Sequence, residues 1–161
     1  ASLLMPKHLF REALRKEGNG FGAIEKLSSL CQTSLTATAI RYARFADDPV
    51  AVIVSSATKI DYCFLSESLD SYLSQADSYK KGKPVPRGTP TAKFQRDSTN
   101  IKKSRRYEGG STLADWFDGA PEVEMDEDVV GLGSYGKTLT VLFNEQALDD
   151  AEWQDEGSIP R

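Results

Sequence analysis

Two runs of strand-forming residues stand only four residues apart near the middle of the chain. VAVIVS (50–55) is β-branched, and IDYCFL (60–65) adds aromatic side chains. Ser56, Ala57, Thr58 and Lys59 between them suffice for a tight connection, so the segment reads as a β-hairpin. A second pair lies further on. VEMDEDVVGL (123–132) is acidic at alternate places and then apolar, and KTLTVLF (137–143) alternates throughout. Gly133-Ser134-Tyr135-Gly136 between them is a turn signal. Together these runs predict an antiparallel sheet of about four strands. Val52, Val54, Tyr62, Phe64, Leu139, Val141 and Phe143 are expected to line it, with alternate residues facing helices.

Helices precede the sheet. Pro6 fits a first helical turn, and Leu9, Phe10, Ala13 and Leu14 follow at helical spacing. Gly18-Asn19-Gly20 ends that helix. Ile24, Leu27, Ser28 and Cys31 form a second stripe, broken by Gln32-Thr33-Ser34. Ser34 is a good N-cap for a third helix, LTATAIRYARF, and Pro49 stops it by disfavouring helix at Asp48. The fold class is α+β, with a three-helix N-terminal unit at 1–48 that contains a helix-turn-helix-like pair. A β-rich unit follows at 49–145, with a basic loop at 80–110, and an acidic tail runs from 146 to 161. Residues 66–79 permit a short helix through Leu69, Tyr72, Leu73 and Ala76, and TPTAKFQRD (89–97) permits one helical turn or two. Three prolines and many polar residues otherwise predict poor order across 80–110.

Charge is strongly segregated. Residues 1–46 carry +4, 47–79 carry −5, 80–106 carry +9 and 107–161 carry −12, for a total of −4. The +9 stretch can attract phosphate or an acidic partner, or fold back on the acidic third of the chain itself. With 161 residues, 39% apolar and 27% charged, a modest packed core is affordable. No apolar run approaches the length of a membrane span. No secretory leader stands at the start, so a cytoplasmic protein is expected. Cys31 and Cys63 are too few for a disulfide scaffold, and His8 is the sole histidine. That excludes a His-rich zinc centre and a Ser-His-Asp triad.

Four features invite a functional reading. Helices two and three, joined by three residues, have the shape of a helix-turn-helix. Arg41 and Arg44 would offer its DNA contacts, with Lys102, Lys103, Arg105 and Arg106 of the basic stretch as further nucleic-acid or anion contacts. Against that, helix pairs are common packing units, and two arginines are few. Asp126, Glu127 and Asp128 form an acidic run, but neighbours on a strand point to opposite faces and no calcium-loop spacing is present. GLGSYG (131–136) echoes a phosphate loop without its lysine-hydroxyl pair, so a hairpin turn accounts for it better.

ASLLMPKHLFREAL, SLTATAIRYARF and PVAVIVS together resemble the region just after the metal site of ImmA/IrrE-family zinc metallopeptidases. Trp116-Phe117 and GLGSYGKTLTVLF look like the distal part of long members of that family. The resemblance covers about residues 1–65 and, more weakly, 112–143. It implies a bacterial accessory region that positions a regulator substrate or senses a signal. The implied partners are an upstream peptidase domain and a transcriptional regulator. The family's HExxH motif is absent, so no catalytic or zinc-binding residue carries over to this chain. The expectation is a C-terminal fragment that is not an enzyme and has no cofactor of its own, zinc belonging to a longer parent. The competing expectation is a DNA- or regulator-binding module built on the helix pair and the basic loop, with weak nucleic-acid affinity. A small-ligand sensor built on the sheet is a third class, for which the sequence offers no specific residue.

Overall fold

A computed structural model describes residues 12, 13, 15, 16, 21–31, 34–56, 59–73 and 82–144. Five antiparallel strands form one sheet: β1 (Val50–Ser56), β2 (Lys59–Leu65), β3 (Arg106–Thr112), β4 (Glu124–Gly131) and β5 (Lys137–Phe143). Their spatial order is β2-β1-β5-β4-β3. The α+β class stands, with five strands rather than about four. The two hairpins, β1–β2 and β4–β5, are the ones the sequence predicts, and they meet where β1 pairs with β5.

The fifth strand corrects the reading of 80–110 as a loop. That stretch holds α4 (Pro90–Gln95), which falls on the helical turns that TPTAKFQRD permits, then α5 (Ser98–Lys102) and β3. Each helix is capped by its own sequence. Thr89 accepts from the Ala92 amide ahead of Pro90, and Asp97 accepts from the Thr99 amide. Strand β3 lacks a β-branched run, and Gly109 and Gly110 sit in its middle. Tertiary contact explains Gly109: a Cβ there would stand 2.6 Å from the Pro90 ring of α4.

Helices cover both faces of the sheet. α1 (Phe21–Cys31) and α2 (Leu35–Phe45) bury Ile24, Leu27, Ala39, Tyr42 and Ala43 against Val50, Val52, Val54, Leu139 and Val141. Tyr62, Phe64 and Phe143 share that face, as alternation predicts. On the opposite face α3 (Glu67–Leu73), α4, α5 and α6 (Leu113–Trp116) pack over Ala51, Ile53, Met125, Val129 and Leu142. Ser34 caps α2 as expected, accepting from the Ala37 amide. Of the first predicted helix, Glu12, Ala13, Arg15 and Lys16 are helical. His8, the Gln32-Thr33 break and the acidic tail from 146 lie outside the described residues.

Candidate functional site: a cleft between the helix pair and the sheet

The side chain that looks most chemical is sealed. Glu127 is fully buried on the face of α4 and α6. Its Oε2 accepts from the Thr91 amide at 2.8 Å and the Thr91 hydroxyl at 2.6 Å. Its Oε1 accepts from the Ser111 hydroxyl at 2.6 Å and the Trp116 indole N–H at 3.0 Å. Because the Thr91 proton goes to Glu127, the Thr140 hydroxyl is the donor in its 2.7 Å contact with Thr91. One carboxylate thus ties α4, α6, β3, β4 and β5 together. With no exposed surface and all four bonds going to the fold itself, it acts as a structural tie. Asp126 and Asp128 point to the other face, as strand geometry requires.

The accessible site lies on the helix-pair face, at the end of the sheet where β1 finishes and β5 begins. Ala39 and Ala43 let α2 settle onto the strands. Beside its N-terminal end opens a cleft of about 490 Å³. Ile40, Val54, Phe64 and Leu132 supply its apolar walls, Tyr62 and Tyr135 its rings, and Ser34, Thr36 and Lys137 its polar groups. A second hollow of about 340 Å³ adjoins it and shares Ser34, Thr36, Leu132 and Tyr135. Clefts of this size and mostly apolar lining are typical of small-molecule sites.

Local backbone features shape the cleft. Tyr135 sits on a single 3-10 turn (Gly133–Tyr135) between β4 and β5, and is 81% exposed. Gly133 and Gly136 flank it at φ 61° and 69°, a conformation that favours glycine. Across the cleft, the β1–β2 register slips between Val54 and Ser55: Val54 pairs with Tyr62 but Ser55 with Ile60. Asp61 is the extra residue of that β-bulge, and bulges re-aim side chains. Asp61 Oδ1 accepts from the Ser56 hydroxyl at 3.0 Å, and Oδ2 lies 3.4 Å from Lys137 Nζ. The Lys137 ammonium also sits 5.8 Å from the centre of the Tyr62 ring. The Tyr62 and Phe64 rings stack at 6.4 Å and 22°.

The sequence-predicted contact residues do not converge here. Arg41 and Arg44 lie on α2, over β1 and β2, where the Arg41 guanidinium stands 5.2 Å from the Phe45 ring centre. Lys102 ends α5, Lys103 and Arg105 follow it, and Arg106 opens β3 at the opposite edge of the sheet. Arg106 donates to Glu25 of α1 at 2.8 Å and lines the second hollow. Arg105 donates to Asn100. Sequence reasoning missed Tyr62, Lys137 and Tyr135 as site residues. The available signal was Asp61, a charged residue breaking the apolar run of β2.

Among the described residues no three His, Cys, Asp or Glu side chains stand together to hold a metal, so these residues do not fit a zinc ion. No described helix is long and apolar enough to cross a membrane. Set against known proteins, the chain matches no protein-family model and no curated sequence.

Proposed function

We propose that the chain is a non-catalytic sensing module, an accessory region of an ImmA/IrrE-like zinc peptidase, and that the cleft beside the start of α2 receives its signal. The cleft's position carries the sensing role. A molecule seated there touches Thr36 and Ile40 of the helix pair and Val54 and Leu132 of the sheet together. Such a ligand biases the packing of one layer on the other by its differential affinity for the two arrangements, which is what a signal-responsive element requires. The link to a peptidase rests on the residue resemblance at 1–65 and 112–143, and a transcriptional regulator is the substrate the module would help present.

A thermal-shift screen of a small-molecule library, run on the parent and on Thr36→Trp, tests the sensing role. Hits whose stabilisation disappears in the variant support it, and a library without one such hit overturns it. The peptidase association is tested in the coding DNA upstream of Ala1: an in-frame HExxH supports it, and an unrelated upstream domain removes it.

One observation favours a second reading. Lys83, Arg87, Lys93, Arg96, Lys102, Lys103 and Arg105 are all exposed, and Asp97 is the only acid within 82–105. A polyanion would be attracted there, with affinity falling steeply as salt rises. Submicromolar duplex binding, lost when Lys102, Lys103 and Arg105 become Ser, would favour this reading over sensing.

A further inference from the structure

Resting on the sensing role, we infer the chemical class of the signal: an uncharged, planar, mostly apolar molecule of one or two fused rings. Among the described residues the one charged side chain lining the cleft, Lys137, already has a counter-charge behind it. Lys137 Nζ lies 3.4 Å from Asp61 Oδ2, and the other Asp61 oxygen is held by Ser56. In the adjoining hollow, Arg106 is likewise paired with Glu25. An anionic ligand must take Lys137 from Asp61, and a cationic one meets the Lys137 ammonium and can be matched only by drawing Asp61 away from it. Either leaves one charge unmatched in a partly dewatered space, which is costly. A neutral molecule leaves both pairs intact.

Shape points the same way through the rings of Tyr62, Phe64 and Tyr135, which line the cleft, the first two 6.4 Å apart and 22° from parallel and the third on its glycine-flanked turn. Aromatic rings gain from offset-stacked or edge-to-face contact with a planar guest. Among the described lining residues the other polar side-chain groups are hydroxyls. Ser34 Oγ accepts from the Ala37 amide, which leaves its own proton to donate, and Thr36 adds a second hydroxyl. A guest bearing one hydroxyl or carbonyl on its ring would satisfy them.

Three probes that share one ring and differ in charge provide the test: 2-naphthylmethanol, 2-naphthoate and 2-naphthylmethylammonium. Each is titrated into the full chain while the methyl resonances of Ile40, Val54 and Leu132 are followed. The neutral probe should shift those methyls and bind about tenfold more tightly than either ion, the margin expected for an unmatched charge. Binding should be lost in Thr36→Trp and weakened in Tyr135→Ala, whose side chain is too exposed to affect folding. Asp61→Asn should then move the preference toward naphthoate, and Lys137→Met toward the ammonium. Equal affinities, or a charged probe tightest in the parent, would overturn the neutral class while leaving the cleft as a small-molecule site. If no probe moves these methyls at millimolar concentration, the sensing role falls as well.

Discussion

The two faces of the sheet are built on different principles. Toward the helix pair, the strand side chains that become buried are Val50, Val52, Val54, Val130, Leu139 and Val141, all apolar. Toward the shorter helices, the strands bury Ser55, Glu127, Thr138 and Thr140 beside Ala51, Ile53, Met125 and Leu142. The first face needs only that something apolar cover it. The second needs donors in particular places, and Thr91, Ser111 and Trp116 supply them from α4, the end of β3 and α6. The apolar face stands open at one end, at the cleft, where Asp61 Oδ2 is buried without a hydrogen bond and has only the Lys137 ammonium at 3.4 Å. The polar face must stay closed.

The sharpest way to break this comparison is to place a carboxylate on the wrong face. Val141→Asp puts an unpaired charge among Ile24, Leu27 and Tyr42, at a cost of several kcal/mol, comparable with the whole stability of a domain this size. The variant should not fold, and a cooperative melt near that of the parent would show the helix-pair face is not sealed there. Glu127→Ala is the mirror experiment, removing a carboxylate where the fold requires one. Four donors lose their acceptor, and a loss of about 3 kcal/mol is expected from chemical denaturation. A change under about 0.5 kcal/mol, the range of ordinary surface substitutions, would mean the network does not hold the face together.

A smaller effect distinguishes close packing from polar satisfaction on that second face. A Cβ at Gly131 would stand 2.5 Å from the Ile101 Cα and 2.6 Å from the Asn100 carbonyl oxygen. Those are backbone atoms of α5 and cannot swing aside. Gly131→Ala should cost about 1–3 kcal/mol and should loosen α5 selectively, visible as faster amide exchange at Lys103 and Ser104. Uniform loosening of the whole sheet would instead place the strain in β4 itself.

The apolar face was legible in the sequence because period-two alternation is a local property, and VAVIVS and KTLTVLF display it without help from distant residues. Ser34 as the cap of α2 was equally readable. In the stretch from 80 to 110 only the helical turns of TPTAKFQRD were; the helix at 98–102 and the strand at 106–112 were not. A helix of five residues is too short for a periodic stripe, and Gly109-Gly110 reads as a break when the Pro90 ring that demands it is absent from view. The buried role of Glu127 was hidden for the same reason: its partners lie 36, 16 and 11 positions away. The cleft draws on the start of α2, both edges of the β1–β2 bulge and the β4–β5 turn. Only the register slip at Asp61 sets its charge balance, and a slip of one residue is a property of pairing, not of composition.

Cys63 offers the mildest contrast between the faces. It sits on β2, with its thiol packed among Ile53, Ile60, Trp116 and Phe117 on the second face. Burial pushes that thiol up to about 12 from 9.0, since the thiolate would lose its hydration. A raised folded-state pKa makes the contribution to stability complete below the unfolded value. It is lost as pH climbs from about 9 toward 12, because the unfolded chain releases its proton first. Near neutral pH, Cys63→Ala should therefore differ from the parent only by its lost packing. Between pH 7.5 and 9.5 the melting temperature of the parent should fall more steeply than that of the variant, and parallel slopes would show that the thiol is hydrated. The same desolvation should keep Cys63 slow toward iodoacetamide at pH 8, read site by site by mass spectrometry. Rapid alkylation there, under conditions that leave the Glu127 network intact, would mean the second face opens at its β2 edge and is not uniformly closed.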